Sequence, residues 1–163
     1  MKVIFLDFDG VLNSEASFRF EQRRKSPRIQ DKLSEVACSN LQYILEQDSD
    51  VKLVISSDWR KYHSLVELDN ILHSYGVQGA RIIGFTPAKM SSSRSSEIRM
   101  FLDDHPNITK FVVIDDDDSV LSIQDPRGHI FLTDSSDGLL FKQARQIAKI
   151  FRAHDPKAVA KSE

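Results

Sequence analysis

The chain contains little cysteine, glycine and proline. Its single cysteine, Cys38, cannot form a disulfide within the chain, which excludes a disulfide-stabilised scaffold and favours a reducing compartment. Six glycines and five prolines among 163 residues exclude a collagen-like chain and a low-complexity one. We therefore expect a globular protein of the cytoplasm.

Long apolar runs and an excess of charge are also missing. The first apolar run, Val3 to Leu6, ends at a carboxylate, so it predicts neither a signal peptide nor a membrane span. With 22 basic against 24 acidic residues, the formal net charge is −2. This balance excludes a protein whose whole surface attracts nucleic acid or membranes and leaves room only for a local basic patch.

The composition is that of a folded domain. Hydrophobic residues make up 40% of the chain and charged residues 28%, which excludes a disordered chain. At about 100–200 residues per domain, the length predicts a single domain. We assign this domain to residues 1–154, with a short basic insert at about 13–30 and a flexible tail at 155–163.

Short apolar runs alternate with segments of helical spacing. Five runs have the β-branched, continuously apolar character of strands that are buried on both faces of a parallel sheet. They are Val3–Leu6, Val51–Ile55, Arg81–Phe85, Phe111–Ile114 and His129–Leu132. Between and after them, apolar residues recur at helical spacing near 33–45, 65–72, 95–104 and 140–151. The alternation predicts an α/β fold, a doubly wound parallel sheet of about five strands with helices on both faces.

Polar residues follow three of these strands at the point where each strand ends. Asp7 and Asp9 follow the first strand, Ser56 follows the second, and Asp115 with Asp116 follow the fourth. Helical crossovers make the strands parallel, so the three ends open on the edge of the sheet where ligands bind in such folds. Carboxylates gathered there repel one another unless a cation joins them, and these oxygen ligands favour Mg²⁺.

The same residues resemble the motifs of the haloacid dehalogenase-like (HAD) phosphohydrolases. The run Asp7-Phe8-Asp9-Gly10-Val11-Leu12, after a hydrophobic strand, resembles their first motif, and Ser56 at the end of the next strand resembles the second. Ile114-Asp115-Asp116 resembles their acidic fourth motif. The motifs occur in order over roughly residues 1–134, which makes the resemblance far more specific than an Asp-x-Asp-Gly sequence alone.

The resemblance implies a Mg²⁺-dependent phosphatase that forms an aspartyl-phosphate. Asp7 would attack phosphorus, and Asp9 would protonate the leaving oxygen and then help to activate water. Ser56 would hydrogen-bond a phosphoryl oxygen. The metal would be held by Asp7, by Asp9 through its backbone carbonyl, and by Asp115 and Asp116.

The third motif, a basic residue ahead of the helix that precedes the acidic strand, has two candidates. Arg94 fits best by position, and Lys89 is the competitor. Either cation would neutralise the charge that spreads over the phosphoryl oxygens. The run Asp115–Asp118 also leaves open which pair binds metal. We expect the first two to bind it, while Asp117 and Asp118 cap the following short helix.

Two interpretations are open for the residues that follow Ser56. In the first, Ser57 and Arg60 help to bind the substrate phosphate, as similar Ser-x-x-Trp-Arg stretches do in some HAD subfamilies. In the second, Trp59 packs in the interior and Arg60 pairs with a nearby acid, which is the more common arrangement for such residues.

Only about twenty residues, which include the basic segment Arg19–Arg28, separate Leu12 from the helix near 31. This is too short for an ordinary cap domain, so we expect an open site. An open site accepts a phosphate on a small molecule, a protein or a nucleic-acid end, and the basic segment would help to hold a polyanion. The motifs also faintly resemble the HAD domains of RNA-repair proteins.

Two other functions are compatible with the sequence. A HAD-derived module would keep the phosphate pocket but catalyse no reaction. A receiver-like phospho-acceptor domain would also gather aspartates around Mg²⁺ at strand ends. A receiver is expected to carry a lysine near its last strand, and none follows directly after His129–Leu132.

Overall fold

The computed structural model describes residues 1–17, 19, 33–88 and 92–153. Its strands are β1 (Lys2–Leu6), β2 (Val51–Ile55), β3 (Ile82–Phe85), β4 (Lys110–Asp115) and β5 (Gly128–Leu132). The helices treated below are α1 (Glu35–Gln47), α2 (Leu65–Ser74), α3 (Arg94–Asp104) and α4 (Phe141–Arg152), and two 3₁₀ helices cover Asp58–Lys61 and Asp118–Ser122. Lys89, most of the predicted basic insert and the predicted tail lie outside the described residues.

The strands form one parallel sheet in the order β3-β2-β1-β4-β5. The chain moves outward from β1 to β3 and then returns to β4 on the other side of β1. Because crossovers between parallel strands are right-handed, this reversal of direction sends α3 to the opposite face of the sheet from α1 and α2. The predicted doubly wound α/β fold is therefore confirmed.

Two apolar clusters, one on each face, hold the sheet between the helices. Alternate residues of β1 enter opposite clusters, as the two-residue period of a strand requires: Ile4 belongs to one and Phe5 to the other. The first cluster packs α1, α2 and α4 on the sheet, and the second packs α3 and the second 3₁₀ helix. Cys38 lies in the first cluster, and burial raises the pKa of its thiol to about 12, which suits packing rather than nucleophilic chemistry.

Serine side chains set the starts of three helices. Ser34, Ser64 and Ser93 each accept a hydrogen bond from a backbone N–H in the first turn of α1, α2 and α3, respectively. The cap at Ser93 begins α3 at Arg94, one residue before the predicted start, so Arg94 lies inside the first turn rather than ahead of the helix. Among the described helices, none combines the length and apolar character that a membrane crossing needs.

Candidate active site

The ends of β1, β2 and β4 lie at one level of the sheet. Leu6 pairs with Ile55 on one side and with Ile114 on the other. The ladder continues one residue further, since the Asp7 N–H donates to the Ile114 carbonyl at 3.0 Å and the Ser56 N–H donates to the Leu6 carbonyl at 2.9 Å. This edge, at the point where the strand order reverses, is where open α/β sheets bind ligands.

Three carboxylates meet at this point. Asp7, Asp115 and Asp116 each offer an oxygen, and these oxygens all lie within 4.8 Å of one another. Asp7 is 4% exposed and Asp115 is fully buried. Within the described residues Asp115 Oδ2 has no hydrogen-bond partner. A buried, unsatisfied carboxylate oxygen beside two others fits a hard divalent cation such as Mg²⁺, which prefers oxygen ligands.

The crowding of these carboxylates changes how they titrate. Burial raises the pKa of Asp7 from its ordinary value of 3.8 to about 6, against the opposing effect of Arg94. Burial is also the larger cause at Asp115, whose pKa rises to about 8, and the charge of Asp7 adds to the rise. The pKa of Asp116 is raised too, again chiefly by burial. Each raised pKa means that the negative charge of that carboxylate is unfavourable in its buried surroundings. A bound cation would stabilise the charge.

Arg94 is the cation that the described structure brings to the carboxylates. Its Nη2 lies 3.7 Å from Asp7 Oδ2, and its Nε lies 3.2 Å from Asp115 Oδ2. Neither Arg94 Nε nor Asp115 Oδ2 makes a hydrogen bond within the described residues, so the contact between them is electrostatic. Arg94 is thus the third-motif candidate whose contacts with the carboxylates can be described, because Lys89, the competitor, lies outside the described residues.

Asp9, two residues after Asp7, is held apart from the carboxylate cluster. Its side chain is exposed, whereas Asp7 is buried. Asp9 Oδ1 accepts a hydrogen bond from Asn13 Nδ2 at 2.8 Å and another from Trp59 Nε1 at 3.0 Å. The side chain of Asp9 is not one of the three carboxylates that lie close enough together to share an ion.

Gly10 gives Asp116 its place beside Asp7. Gly10 has a φ of +73°, and a Cβ built on it would lie 2.2 Å from Asp116 Oδ2. The Asn13 side chain accepts a hydrogen bond from the Gly10 N–H, and the Thr133 hydroxyl donates one to the Gly10 carbonyl. The turn is thus fixed on both sides, and only a glycine lets the Asp116 carboxylate approach it.

Replacing Gly10 with alanine is expected to weaken metal binding beyond its effect on folding. The left-handed backbone costs about 1–2 kcal/mol for a residue with a Cβ, and the Cβ would also displace Asp116. Gly76→Ala is the matched control, because Gly76 has a φ of +83° and no described atom lies within 4 Å of the position that a Cβ would take there. We expect both variants to have a lower melting temperature than the native chain. We also expect Mg²⁺ to raise the melting temperature of the native chain and of Gly76→Ala, but not that of Gly10→Ala. An equal Mg²⁺ response in both variants would contradict the role of Gly10.

The two serines after β2 have different surroundings. Ser56 is fully buried, and its hydroxyl has no hydrogen-bond partner within the described residues. Ser57 is also buried, and its hydroxyl accepts from the Trp59 N–H at 3.4 Å. A hydrogen bond from the Ser57 side chain helps to lower the pKa of Asp7. Ser57 thus supports the Asp7 carboxylate, whereas the Ser56 hydroxyl is buried and unpaired among the described residues.

Arg60 has an internal partner. Its Nη2 lies 2.7 Å from Glu97 Oε2, its Nη1 donates to the Ser57 carbonyl at 2.9 Å, and its side chain is only 5% exposed. This is the arrangement of the second interpretation, in which Arg60 pairs with an acid. The first interpretation, in which Arg60 binds the substrate phosphate, is not supported by a guanidinium that is turned into the protein.

Several residues of the site were not singled out as functional by the sequence. They are Asn13 and Trp59 on Asp9, Thr133 on Gly10, and Glu97 on Arg60. The sequence around Trp59 and Asn13 contains no pattern that would distinguish a hydrogen-bonding role for these residues from simple packing. Asp117, by contrast, caps the second 3₁₀ helix as predicted, accepting from the Ser119 N–H at 2.8 Å, whereas Asp118 is the first residue of that helix and not its cap.

Comparison with known proteins agrees with this geometry. Residues 3–144 match the family described as "HAD domain in Swiss Army Knife RNA repair proteins". No curated protein matches the chain significantly. The matched range runs from β1 into α4 and contains all of the strand-end residues described above. The chain therefore belongs to the family of HAD domains of Swiss Army Knife RNA repair proteins and, through it, to the hydrolase-like phosphatase superfamily.

Proposed function

We propose that this domain is a Mg²⁺-dependent phosphomonoesterase that works through an aspartyl-phosphate on Asp7. The observation that carries the proposal is the meeting of Asp7, Asp115 and Asp116 at the switch point of the sheet, with Arg94 against two of them. Asp7, Asp115 and Asp116 would hold the metal, with the Asp9 carbonyl as a further ligand by family resemblance. When bound, Mg²⁺ supplies positive charge that offsets the carboxylates and the phosphoryl oxygens.

The residues of the chain divide the chemistry between them. An oxygen of Asp7 forms a bond to phosphorus while the bond from phosphorus to the leaving oxygen breaks. Asp9 donates its proton to that leaving oxygen and later accepts one from the attacking water. Arg94 neutralises charge on the transferring group, and the Ser56 hydroxyl, buried and without a described partner, donates to a phosphoryl oxygen.

We further propose that the substrate is a phosphorylated RNA end. The support is the family to which the chain belongs, which is described by its presence in RNA repair proteins. The predicted basic insert at about 13–30 would add attraction for a polyanion, and the structure describes residues 13–17 and 19 of this insert. Arg19 is exposed and lies 3.4 Å from Glu15, so its charge is partly offset.

A panel of phosphorylated compounds tests both parts of the proposal. The purified chain would be incubated with p-nitrophenyl phosphate, phosphopeptides, phosphorylated metabolites, and oligoribonucleotides carrying a 3′- or 5′-phosphate. We expect phosphate release that needs Mg²⁺ and stops with a chelator, with the highest kcat/KM on one kind of RNA end. Release from phosphopeptides alone would contradict the RNA assignment, and no release from any compound would favour a silent phosphate-binding module.

A further inference from the structure

The side chain of Asp9 is fixed by two hydrogen bonds, although it is exposed. Asn13 Nδ2 and Trp59 Nε1 both donate to the same oxygen, Oδ1, at 2.8 and 3.0 Å. Trp59 is 50 residues away in the chain and enters from the first 3₁₀ helix, after β2. An exposed carboxylate ordinarily rotates freely about its side-chain bonds, so two donors from different elements constitute a specific restraint.

Both donors are themselves immobilised. The Trp59 ring stacks on Phe8, with centroids 4.8 Å apart and planes at 27°, and Trp59 is 7% exposed. Its backbone N–H donates to Ser57, whose side chain hydrogen-bonds the nucleophile candidate Asp7. Asn13 is 1% exposed, and its own Oδ1 accepts from the Gly10 N–H at 3.0 Å. The donors thus belong to the packed interior, and they link the position of Asp9 to that of Asp7.

We infer that Trp59 and Asn13 are positioning residues that orient Asp9 as the acid of the reaction and make Oδ2 its proton-carrying oxygen. This inference rests on the proposed function. Because Oδ1 already accepts two N–H hydrogens, a proton on that oxygen would compete with them, so when Asp9 acts as the acid of the proposed reaction its proton is carried by Oδ2. Hydrogen bonds from neutral donors to a carboxylate are stronger than those to a neutral acid, so both strengthen as Asp9 gives up its proton.

The proton balance of the reaction follows from this orientation. In the first step the bond from Asp7 to phosphorus forms, the ester P–O bond breaks, and the Oδ2 proton of Asp9 moves to the leaving oxygen. In the second step water attacks phosphorus, its proton moves to Asp9 Oδ2, and the bond between phosphorus and Asp7 breaks. Asp9 ends each cycle protonated on the oxygen from which it started.

Trp59→Phe tests the inference because phenylalanine keeps the ring on Phe8 and removes the indole N–H. We would measure kcat/KM for aryl phosphates, whose leaving groups need little protonation, and for alkyl phosphates, which need an acid. The ratio of aryl to alkyl kcat/KM is expected to rise by about tenfold, the effect of one lost hydrogen bond to a charged group. Tyr62→Phe, a change of an exposed aromatic side chain in the same loop, is the control and is expected to keep the native ratio.

A double-mutant cycle separates positioning from structural damage. In an Asp9→Asn background there is no acid to position, so Trp59→Phe is expected to leave the ratio of aryl to alkyl kcat/KM where Asp9→Asn alone sets it. An equal loss on both substrate classes, or a ratio that still rises in the Asp9→Asn background, would overturn the inference while the nucleophile assignment survives. A native chain that releases no phosphate would overturn the proposed function and the inference with it.

A second measurement does not depend on turnover. Trp59 is the only tryptophan of the chain, so its indole N–H gives a single, unambiguous signal in a ¹H–¹⁵N spectrum. We expect Asp9→Ala to shift this signal strongly and to speed the exchange of its hydrogen with water, because the acceptor is lost. An indole signal that is unchanged in the variant would show that the contact does not exist in solution and would overturn the inference.

Discussion

Asp7→Asn is expected to abolish phosphatase turnover, with a loss of about a thousandfold or more, as for other catalytic nucleophiles. The amide is nearly isosteric with the carboxylate and keeps an oxygen that accepts from the Phe8 N–H, which donates to Asp7 Oδ1 at 2.8 Å. It lacks the anionic oxygen that attacks phosphorus. Initial rates on p-nitrophenyl phosphate with saturating Mg²⁺ measure the effect, and turnover close to that of the native chain would reject Asp7 as the nucleophile.

The stability of this variant distinguishes lost chemistry from lost folding. Asp7 is buried and its pKa is raised to about 6, so the native carboxylate is ionised at pH 8 in a place that disfavours its charge. A neutral amide avoids that penalty, and we expect the melting temperature of metal-free Asp7→Asn at pH 8 to be no lower than that of the native chain. A large drop would attribute the lost turnover to unfolding instead.

The covalent intermediate gives a direct measure of the same assignment. Brief reaction with substrate, followed by quenching and borohydride reduction, converts an aspartyl-phosphate to a reduced side chain that peptide mass spectrometry can locate. We expect the modification at residue 7 in the native chain and its absence in Asp7→Asn. Modification at another aspartate would move the nucleophile to that position.

Arg94→Met has the second largest expected effect. Methionine keeps much of the length and apolar character of the side chain but removes the charge that lies 3.7 Å from Asp7 and 3.2 Å from Asp115. Loss of one group that stabilises transition-state charge lowers kcat by about 10²–10³-fold. Lys89→Met is the comparison, because Lys89 is the other basic candidate for the third motif. A larger loss in Lys89→Met than in Arg94→Met would transfer the role to Lys89.

The same variant has a pH signature in its stability. The raised pKa values of Asp7 and Asp115 mean that the folded, metal-free chain holds protons that the unfolded chain has released. The free energy of unfolding therefore falls as pH rises from about 4, through about 6 for Asp7 and about 8 for Asp115. Arg94 lowers both pKa values, so its removal should increase the loss of unfolding free energy between pH 5 and pH 8. Denaturant titrations at pH 5 and pH 8 measure it, and an identical difference in the two chains would contradict the placement of Arg94.

The sequence indicated the fold and the main acidic residues because both are local features. Strand and helix periodicity appear in short windows, and the strand-end residues Asp7, Ser56 and Asp115 need only a parallel sheet to share an edge. The parallel register confirms that geometry. Element bounds differed by one or two residues where a cap decides the start, as Ser93 does for α3.

The partners of individual side chains were decided by tertiary packing. Arg60 was a candidate ligand of the substrate by its motif, yet its guanidinium pairs with Glu97, 37 residues further on in α3. Trp59 was expected to be an interior ring, yet its N–H also reaches Asp9. Such contacts depend on how a helix and a loop from distant parts of the chain are set against the sheet, which no short pattern records.

The sequence by itself determined that acids and a hydroxyl would gather at the carboxyl edge of a parallel sheet, because chain direction and strand ends follow from local hydrophobicity. Only the tertiary structure decided that Asp116 would lie against the backbone of Gly10 and that Arg94 would lie beside two buried carboxylates. It likewise decided that Asp9 would accept hydrogen bonds from Trp59 and Asn13. These arrangements depend on distances of a few ångströms between side chains from separate elements, and close packing alone sets such distances.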